Sequence, residues 1–158
     1  MAKEIERKFL VNGDSFKKLA SPTHYRQGYI PTSNGMTVRI RIAGEKGFIT
    51  LKDKSVGFSR NEFEYEIPLS EAKQMLDTMC EKPQIEKFRY VIPAAESELK
   101  WEVDEFHGEN EGLIVAEIEV PAEDTIFSIP EWIGTEVTGD KKYNNSQLCK
   151  HPYKEWKK

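Results

Sequence analysis

The chain has 158 residues, of which 32% are charged and 38% hydrophobic, and its formal net charge at pH 7 is −4. This length predicts a single domain, 1–158, and this content of apolar residues is too high for a disordered protein. The negative net charge argues against a protein that coats nucleic acid, because no excess of Lys and Arg exists to displace counterions. No apolar run approaches the roughly 20 residues of a membrane span and no signal peptide precedes the first charges, so we expect a cytoplasmic protein with no nucleic-acid or membrane partner.

Segments that alternate apolar and polar residues, with the two-residue period of a β-strand, recur along the chain. They span residues 4–11, 23–30, 36–43, 48–53, 60–67, 84–92, 99–106 and 113–120. Residues 70–79 repeat apolar side chains at helical spacing and predict the main helix. Shorter helices are predicted near 15–19, 122–127 and 140–150.

Most of these strands carry charges along one face, and each such face carries mainly one sign. Arg39 and Arg41 alternate with apolar residues in one strand, as Lys87 and Arg89 do in another. Side chains two residues apart lie about 6.5 to 7 Å from each other, so like charges repel unless a counter-ion lies between them. A charged face in water is the ordinary explanation for a single strand, but a solvated face usually mixes signs. The segregation by sign therefore indicates a charged interior that binds ions.

Eight strands can close into a barrel. We therefore predict an α+β, mainly β fold: an eight-stranded antiparallel closed barrel whose charged faces line a tunnel, with helices packed outside. The basic part of the tunnel wall would carry Lys8, Arg39, Arg41, Lys52, Lys87 and Arg89. The acidic part would carry Glu4, Glu6, Glu62, Glu64, Glu102, Asp104, Glu117 and Glu119.

This charge pattern favours phosphoryl chemistry. A row of cations suits a ligand with several negative charges, and carboxylates without His or Cys suit a hard divalent cation such as Mg²⁺ or Mn²⁺. A polyanion together with such a metal ion is typical of phosphoryl transfer or hydrolysis. Cys80 and Cys149 are isolated, which predicts reduced, partly buried thiols, and the histidines are scattered, so neither a zinc site nor a Ser-His-Asp triad is indicated.

The opening residues Glu4-Ile5-Glu6-Arg7-Lys8 resemble the ExExK signature of the CYTH family, also called triphosphate tunnel metalloenzymes. Further motifs follow in the order of that family: Gln27-Gly28-Tyr29, Val38-Arg39-Ile40-Arg41, Thr50-Leu51-Lys52, Glu62-Phe63-Glu64-Tyr65-Glu66, Lys87-Phe88-Arg89, Trp101-Glu102-Val103-Asp104 and Glu117-Ile118-Glu119. The segment from Val137 to Asn144 resembles the closing motif of the family. The resemblance covers nearly the whole chain.

The resemblance implies an eight-stranded tunnel and metal-dependent cleavage of triphosphates. It implies that the six cations of the basic wall bind the triphosphate, together with Lys142 of the closing motif. It makes Glu4, Glu6, Glu117 and Glu119 the first candidates for metal ligands, with the remaining carboxylates acting directly or through water. It also gives Tyr29 a role in proton transfer, and it makes Lys8 and Arg41 candidates for stabilising charge in the transition state.

The function expected from the resemblance is hydrolysis of inorganic triphosphate to pyrophosphate and phosphate. Three alternatives stay open: an adenylate cyclase, a thiamine or nucleoside triphosphatase, and a non-catalytic polyphosphate-binding module. The cyclase needs an adenine pocket that the sequence does not indicate, and the aromatic candidate for a thiamine ring, Trp101, falls on the apolar face of its strand. Carboxylates next to a polyanion argue against the binding module, because they repel it unless a metal ion intervenes. A homodimer is also left open.

Overall fold

The fold is one antiparallel sheet with two α-helices, in a computed structural model that describes residues 5–54, 61–95 and 97–156. The strands are β1 (Ile5–Val11), β2 (Thr23–Ile30), β3 (Thr37–Ala43), β4 (Lys46–Lys52), β5 (Glu62–Ile67), β6 (Ile85–Pro93), β7 (Lys100–His107), β8 (Ile114–Val120) and β9 (Ile133–Glu136). The helices are α1 (Leu69–Thr78) and α2 (Asn145–Lys150). Within the described residues the strand order is β5-β4-β3-β2-β6-β7-β8-β1-β9.

The predicted mainly β, antiparallel architecture is confirmed, but the predicted closure of eight strands is not what the pairing shows. A ninth strand, β9, pairs with β1 through Phe9 and Val11, and β5 and β9 form the two edges of the sheet. No ladder joins these edges within the described part of the chain. The sequence did not predict β9 because its four residues include Gly134 and do not alternate between apolar and charged side chains.

The helix predicted at 122–127 is wrong, since residues 121–130 form turns and irregular structure. The amide of Ala122 donates to the hydroxyl of Thr125 at 3.1 Å, which closes a turn instead of a helix. Phe127 packs into an aromatic cluster, with its ring centroid 6.4 Å from that of Phe9 and 5.7 Å from that of Trp101. The helix predicted at 140–150 is divided into a 3₁₀ turn, Lys141–Tyr143, followed by α2.

The outer face of the sheet is apolar, and α1 packs on it as predicted. Ala72 and Leu76 of α1 contact Ile40 and Ile42 of β3 in one buried cluster. The close approach of α1 requires a glycine on β4, because a Cβ atom at Gly47 would lie 2.7 Å from the Cβ of Ala72. The apolar clusters on this face exclude water and orient the alternate, charged side chains towards the other face.

The second helix, α2, packs on the inner face of the sheet and not on the outer face, where the sequence predicted it. Leu148 of α2 joins a buried cluster with Ile85, Phe106, Leu113 and Val115, and three of these alternate in phase with the charged inner residues of β6, β7 and β8. The inner face is therefore apolar at one end, where the carboxy-terminal segment covers it. Within the described residues, no helix has both the length and the apolar character needed to cross a membrane.

Both cysteines are free thiols, as the sequence predicts. Cys80 follows α1 and is buried, and burial raises its pKa to about 11. Cys149 lies in α2, where burial raises its pKa to about 12.

Candidate active site

A cavity of about 470 Å³ lies on the inner face of the sheet, and we call it the charged cavity. Strand residues at its lining are Glu6, Lys8, Tyr29, Arg39, Arg41, Lys52, Glu62, Arg89, Glu102, Glu117 and Glu119, and the carboxy-terminal segment adds Asn144, Asn145 and Ser146. Six strands separate β5, which carries Glu62, from β1, which carries Glu6. The two glutamates nevertheless line one cavity, so the sheet curves round its charged side chains.

The cations of β3 are crowded without a bound anion. Arg41 donates from Nε to Oε1 of Gln27 at 2.8 Å. Its pKa is lowered to about 10 because it is desolvated and because Arg39 and Arg89 repel its charge. A bound polyanion would relieve this repulsion, so a site with several neighbouring positive charges favours the binding of a polyanion.

The carboxylates of β1 and β8 are crowded in the same way. Burial and the adjacent Glu6 raise the pKa of Glu117 to about 7, and Lys8 Nζ lies 3.5 Å from Oε1 of Glu117. Paired carboxylates whose charges repel each other are suited to a hard divalent cation. Within the described residues no group of three His, Cys, Asp or Glu side chains is placed to hold a metal ion, and the predicted ligand Glu4 lies outside those residues.

A buried ionic network lies behind the basic wall. Asp104 accepts hydrogen bonds from Nε and Nη2 of Arg89 at 2.8 and 2.9 Å, and Lys87 Nζ lies 2.9 Å from its Oδ2. Lys87 Nζ also donates to Oδ1 of Asn145 at 2.9 Å. Burial alone would raise the pKa of Asp104, but the two cations hold it well below its usual range. Asp104 is therefore an ionised carboxylate that orients two cations.

The amino-acid sequence is similar to that of known proteins. Residues 2–148 match the model of the CYTH domain family. The chain belongs to the CYTH family. It is 54% identical over 157 residues to an inorganic triphosphatase of Acetivibrio thermocellus, a match that covers 99% of each chain. It is 38% identical over 149 residues to an inorganic triphosphatase of Nitrosomonas europaea, covering 92% of this chain and 96% of the relative.

Solved structures extend the comparison to the fold. A crystal structure of an inorganic triphosphatase matches with a TM-score of 0.71 at 33% identity, covering 94% of this chain and 95% of the other. Proteins named inorganic triphosphatases are thus similar to this chain in both sequence and architecture.

The structure brings most of the predicted CYTH site residues together. The cations at the charged cavity are Lys8, Arg39, Arg41, Lys52 and Arg89, and the carboxylates there are Glu6, Glu62, Glu102, Glu117 and Glu119. Three other predicted residues lie beside or behind this set. Lys87 and Asp104 form the buried network, and Glu64 accepts a hydrogen bond from Thr50 at 2.7 Å and lies 3.4 Å from Arg39. Metal ligation by Glu64 or Asp104 stays a prediction.

Lys142 lies apart from the charged cavity. Its Nζ is 4.8 Å from the ring centroid of Trp156 and 5.3 Å from that of Tyr143, and its side chain is exposed. This position favours a cation–π contact that attaches the carboxy-terminal residues, so the role in phosphate binding implied by the resemblance has no support in this conformation.

Sequence reasoning missed the uncharged residues of the carboxy-terminal segment. Asn144 Oδ1 accepts a hydrogen bond from Lys8 Nζ at 3.4 Å, and Asn145 contacts Lys87 as described above. Asn144 is the last residue of the closing motif, and a pattern of charges predicts Lys and Arg side chains but not uncharged amides. The asparagines neutralise no charge, but each accepts a hydrogen bond from a lysine, Asn144 from Lys8 at the cavity and Asn145 from Lys87 behind it.

A second cavity, of about 520 Å³, adjoins the charged cavity and shares Tyr29 and Ser146 with it. Its apolar lining residues are Ile30, Pro31, Met36, Val38 and Pro83, and Lys82 and Lys150 lie among its polar ones. Burial raises the pKa of Tyr29, which stands between the two cavities. The phenol is therefore protonated at neutral pH and is suited to donate a hydrogen bond, not to act as a base.

Proposed function

We propose that this CYTH protein hydrolyses inorganic triphosphate to pyrophosphate and phosphate in the charged cavity, with a divalent cation. The observation that carries the proposal is the joint presence of five cations and five carboxylates around one cavity whose lining residues all carry charged or polar groups. A wall of this kind recognises phosphates and offers little to an apolar group. The names of the relatives agree with this substrate.

The basic wall would bind the phosphate chain. Arg39 and Arg41 project from one strand and Arg89 from another, and guanidinium groups bind phosphate oxygens in bidentate fashion. Because Nε of Arg41 already donates a hydrogen bond to Gln27, the two Nη groups of Arg41 would bind the substrate. Lys8 and Lys52 add point charges, and the fixed donors stabilise the charge that develops on the transferred phosphoryl group.

The acidic wall would hold Mg²⁺ or Mn²⁺. Glu6 and Glu117 are the first ligands we propose, with Glu62, Glu102 and Glu119 as further ligands, directly or through water. The sequence motif adds Glu4, which lies outside the described residues. A bound divalent cation neutralises phosphate charge and lowers the pKa of water. The chain itself supplies the paired carboxylates, which repel each other until a cation binds.

Tyr29 would act as a hydrogen-bond donor. Its raised pKa keeps the phenol protonated, and its place at the charged cavity lets the hydroxyl donate a hydrogen bond to a phosphate oxygen. Tyr29→Phe would then lower kcat, because it removes this hydrogen bond. The shape of the pH–rate profile near neutrality should stay the same, because the phenol does not titrate there.

The proposal is tested by following triphosphate with phosphorus NMR in the presence of the protein and Mg²⁺ or Mn²⁺. Equal amounts of phosphate and pyrophosphate are expected. Binding of triphosphate without any product would instead identify a polyphosphate-binding module.

A second candidate function is hydrolysis of an organic triphosphate, such as a nucleoside or thiamine triphosphate. The second cavity favours it, because an apolar wall that meets the charged cavity at Tyr29 could receive a base or a ring. An adenylate cyclase would also have to align the ribose 3′ oxygen with the α-phosphorus. Parallel assays of ATP and thiamine triphosphate, with cyclic AMP measured, separate these activities.

We also propose, from the sequence, that the protein acts in the cytoplasm on a small-molecule substrate. Sedimentation at several concentrations would decide whether it forms a homodimer.

A further inference from the structure

Three cations converge on one aromatic ring beneath the charged cavity. The Cζ atom of Arg89 lies 4.8 Å from the ring centroid of Tyr25, Cζ of Arg41 lies 5.2 Å from it, and Nζ of Lys87 lies 5.8 Å from it. The register of the sheet produces this arrangement. Tyr25 pairs directly with Lys87 on β6, and Gln27, two residues further along β2, pairs with Arg41 on β3.

The surroundings of these cations differ. Arg89 and Lys87 both contact the carboxylate of Asp104. Arg41 makes no ion pair within the described residues, where its neighbours are the amide oxygen of Gln27 and the ring of Tyr25. Tyr25 lies on β2, the strand between β3 and β6, and its ring is the group that attracts all three cations.

We propose that Tyr25 is a positioning residue, whose ring face holds Arg41 beside Arg89 and Lys87, the two cations that Asp104 orients, before a polyanion binds. The inference rests on the proposed triphosphatase function, because that function assigns Arg41 and Arg89 to substrate binding. Tyr25 does not line the charged cavity, so it acts through the cations and not on the substrate.

The physical reason lies in the charge distribution of an aromatic ring. The face of the ring is electronegative and attracts cations within about 6 Å of its centroid, most strongly where water is excluded. Without that face, Arg41 would be repelled by Arg89 and Lys87, which Asp104 holds in place, and would occupy several conformations. Triphosphate would then have to order Arg41 as it binds, and this cost weakens binding.

Packing alone offers a different explanation, since any side chain of similar size would fill the same space. A series of substitutions of the ring at position 25 distinguishes the two explanations. Tyr25→Phe keeps the face of the ring. Phenylalanines at position 25 with one, two and three ring fluorines keep its shape but progressively weaken its electronegative face. Tyr25→Leu removes the ring altogether.

The experiment measures the dissociation constant of triphosphate by calorimetry without metal, KM and kcat with metal, and thermal unfolding. We expect Tyr25→Phe to bind nearly as the natural protein does, binding to weaken stepwise with each fluorine, and Tyr25→Leu to raise Kd and KM about tenfold. Thermal unfolding should stay constant along the fluorine series, and kcat should change less than KM. Tyr65→Leu, an exposed tyrosine of β5, is the matched control and should change neither constant.

A second readout needs no substrate. In the empty protein, the Nε–H NMR signal of Arg41 should move towards that of a free arginine in Tyr25→Leu and keep its position in Tyr25→Phe. The signal of Arg89, which Asp104 fixes, should keep its position in both variants and serves as the internal reference. If triphosphate does not bind to the natural protein, the proposed function fails while the Arg41 signal still decides the role of Tyr25. Equal affinity across the fluorine series, or an Arg41 signal unchanged in Tyr25→Leu, would overturn the proposal.

Discussion

The carboxylate of Asp104 accepts hydrogen bonds from two nitrogens of Arg89, Nε at 2.8 Å and Nη2 at 2.9 Å. This bidentate pair fixes the plane of the guanidinium group, and Nη1 of Arg89 lies 3.5 Å from Glu102 at the cavity wall. Lys87 completes the network from a fully buried position. Asp104 therefore orients Arg89, the member of this network that lines the charged cavity and would bind the phosphate chain.

Asp104→Asn should lower the free energy of unfolding by roughly 3 kcal/mol, because it leaves two buried cations without their carboxylate. It should also raise KM for triphosphate. Glu102→Gln is the control, since Glu102 is partly exposed and should change stability by less than about 1 kcal/mol. Urea unfolding of both variants measures this difference. If Asp104→Asn kept full stability but needed more metal, Asp104 would be the metal ligand that the sequence predicted.

Arg41→Ala should raise KM for triphosphate and leave the empty protein equally stable or slightly more stable. Arg41 is desolvated and repelled by Arg39 and Arg89, so its charge becomes favourable only when an anion is bound. Triphosphate should raise Tm of the natural protein by mass action, and it should do so less in this variant. Arg26→Ala, which removes an ion pair with Asp77 away from the cavity, should keep the full ligand-induced shift. A large loss of stability in empty Arg41→Ala would contradict this account.

Glu6→Gln should increase the concentration of Mg²⁺ needed for half-maximal activity by about tenfold or more while leaving the fold intact. Glu6 repels Glu117 in the empty protein. Neutralising Glu6 therefore removes this repulsion, but it also removes a proposed metal ligand. Glu66→Gln, an exposed glutamate of β5, serves as the control. Titration of activity with Mg²⁺ gives the comparison. An unchanged metal requirement together with a marked fall in Tm would show that Glu6 is structural.

Cys80 should react slowly with thiol reagents in the folded protein. Burial raises its pKa to about 11 from 9.0, so its thiolate fraction near pH 8 should be about 100-fold lower than that of an ordinary thiol. The unfolded state loses this proton first, so the contribution of Cys80 to stability falls as pH rises from 9 to 11. Reaction of the Cys149→Ser variant with a chromogenic disulfide at pH 8, with and without urea, measures the effect. Complete reaction within seconds in the folded state would contradict it.

The strands and the charged interior could be predicted because strand alternation places Arg39 and Arg41 on one face and Ile40 and Ile42 on the other. This alternation involves neighbouring residues of one strand, so it can be predicted directly from the sequence. Single-strand patterns could not show whether the sheet closes, because closure depends on the twist and pairing of every strand. They also missed β9, which is too short to display a period.

Within the site, the sequence could not separate the roles of residues on one face. Glu102 and Asp104 lie two residues apart on β7 with the same orientation, and both were predicted as metal ligands. Their roles differ because Asp104 pairs across the sheet with Arg89, whereas Glu102 pairs with Val91 and reaches the cavity. The cross-strand register and the burial of a carboxylate determine whether it pairs with a cation or can bind a metal ion. Neither property can be predicted from the spacing of residues along one strand.

The central claim is tested most directly by kcat/KM for inorganic triphosphate compared with ATP and pyrophosphate, measured as phosphate release with Mg²⁺ or Mn²⁺ and again in excess EDTA. Because the lining of the charged cavity is polar throughout, triphosphate should have the highest kcat/KM, and EDTA should abolish the activity. No cyclic AMP should form from ATP. Faster turnover of ATP than of triphosphate, activity that persists in EDTA, or tight binding of triphosphate without any release of phosphate would contradict the account.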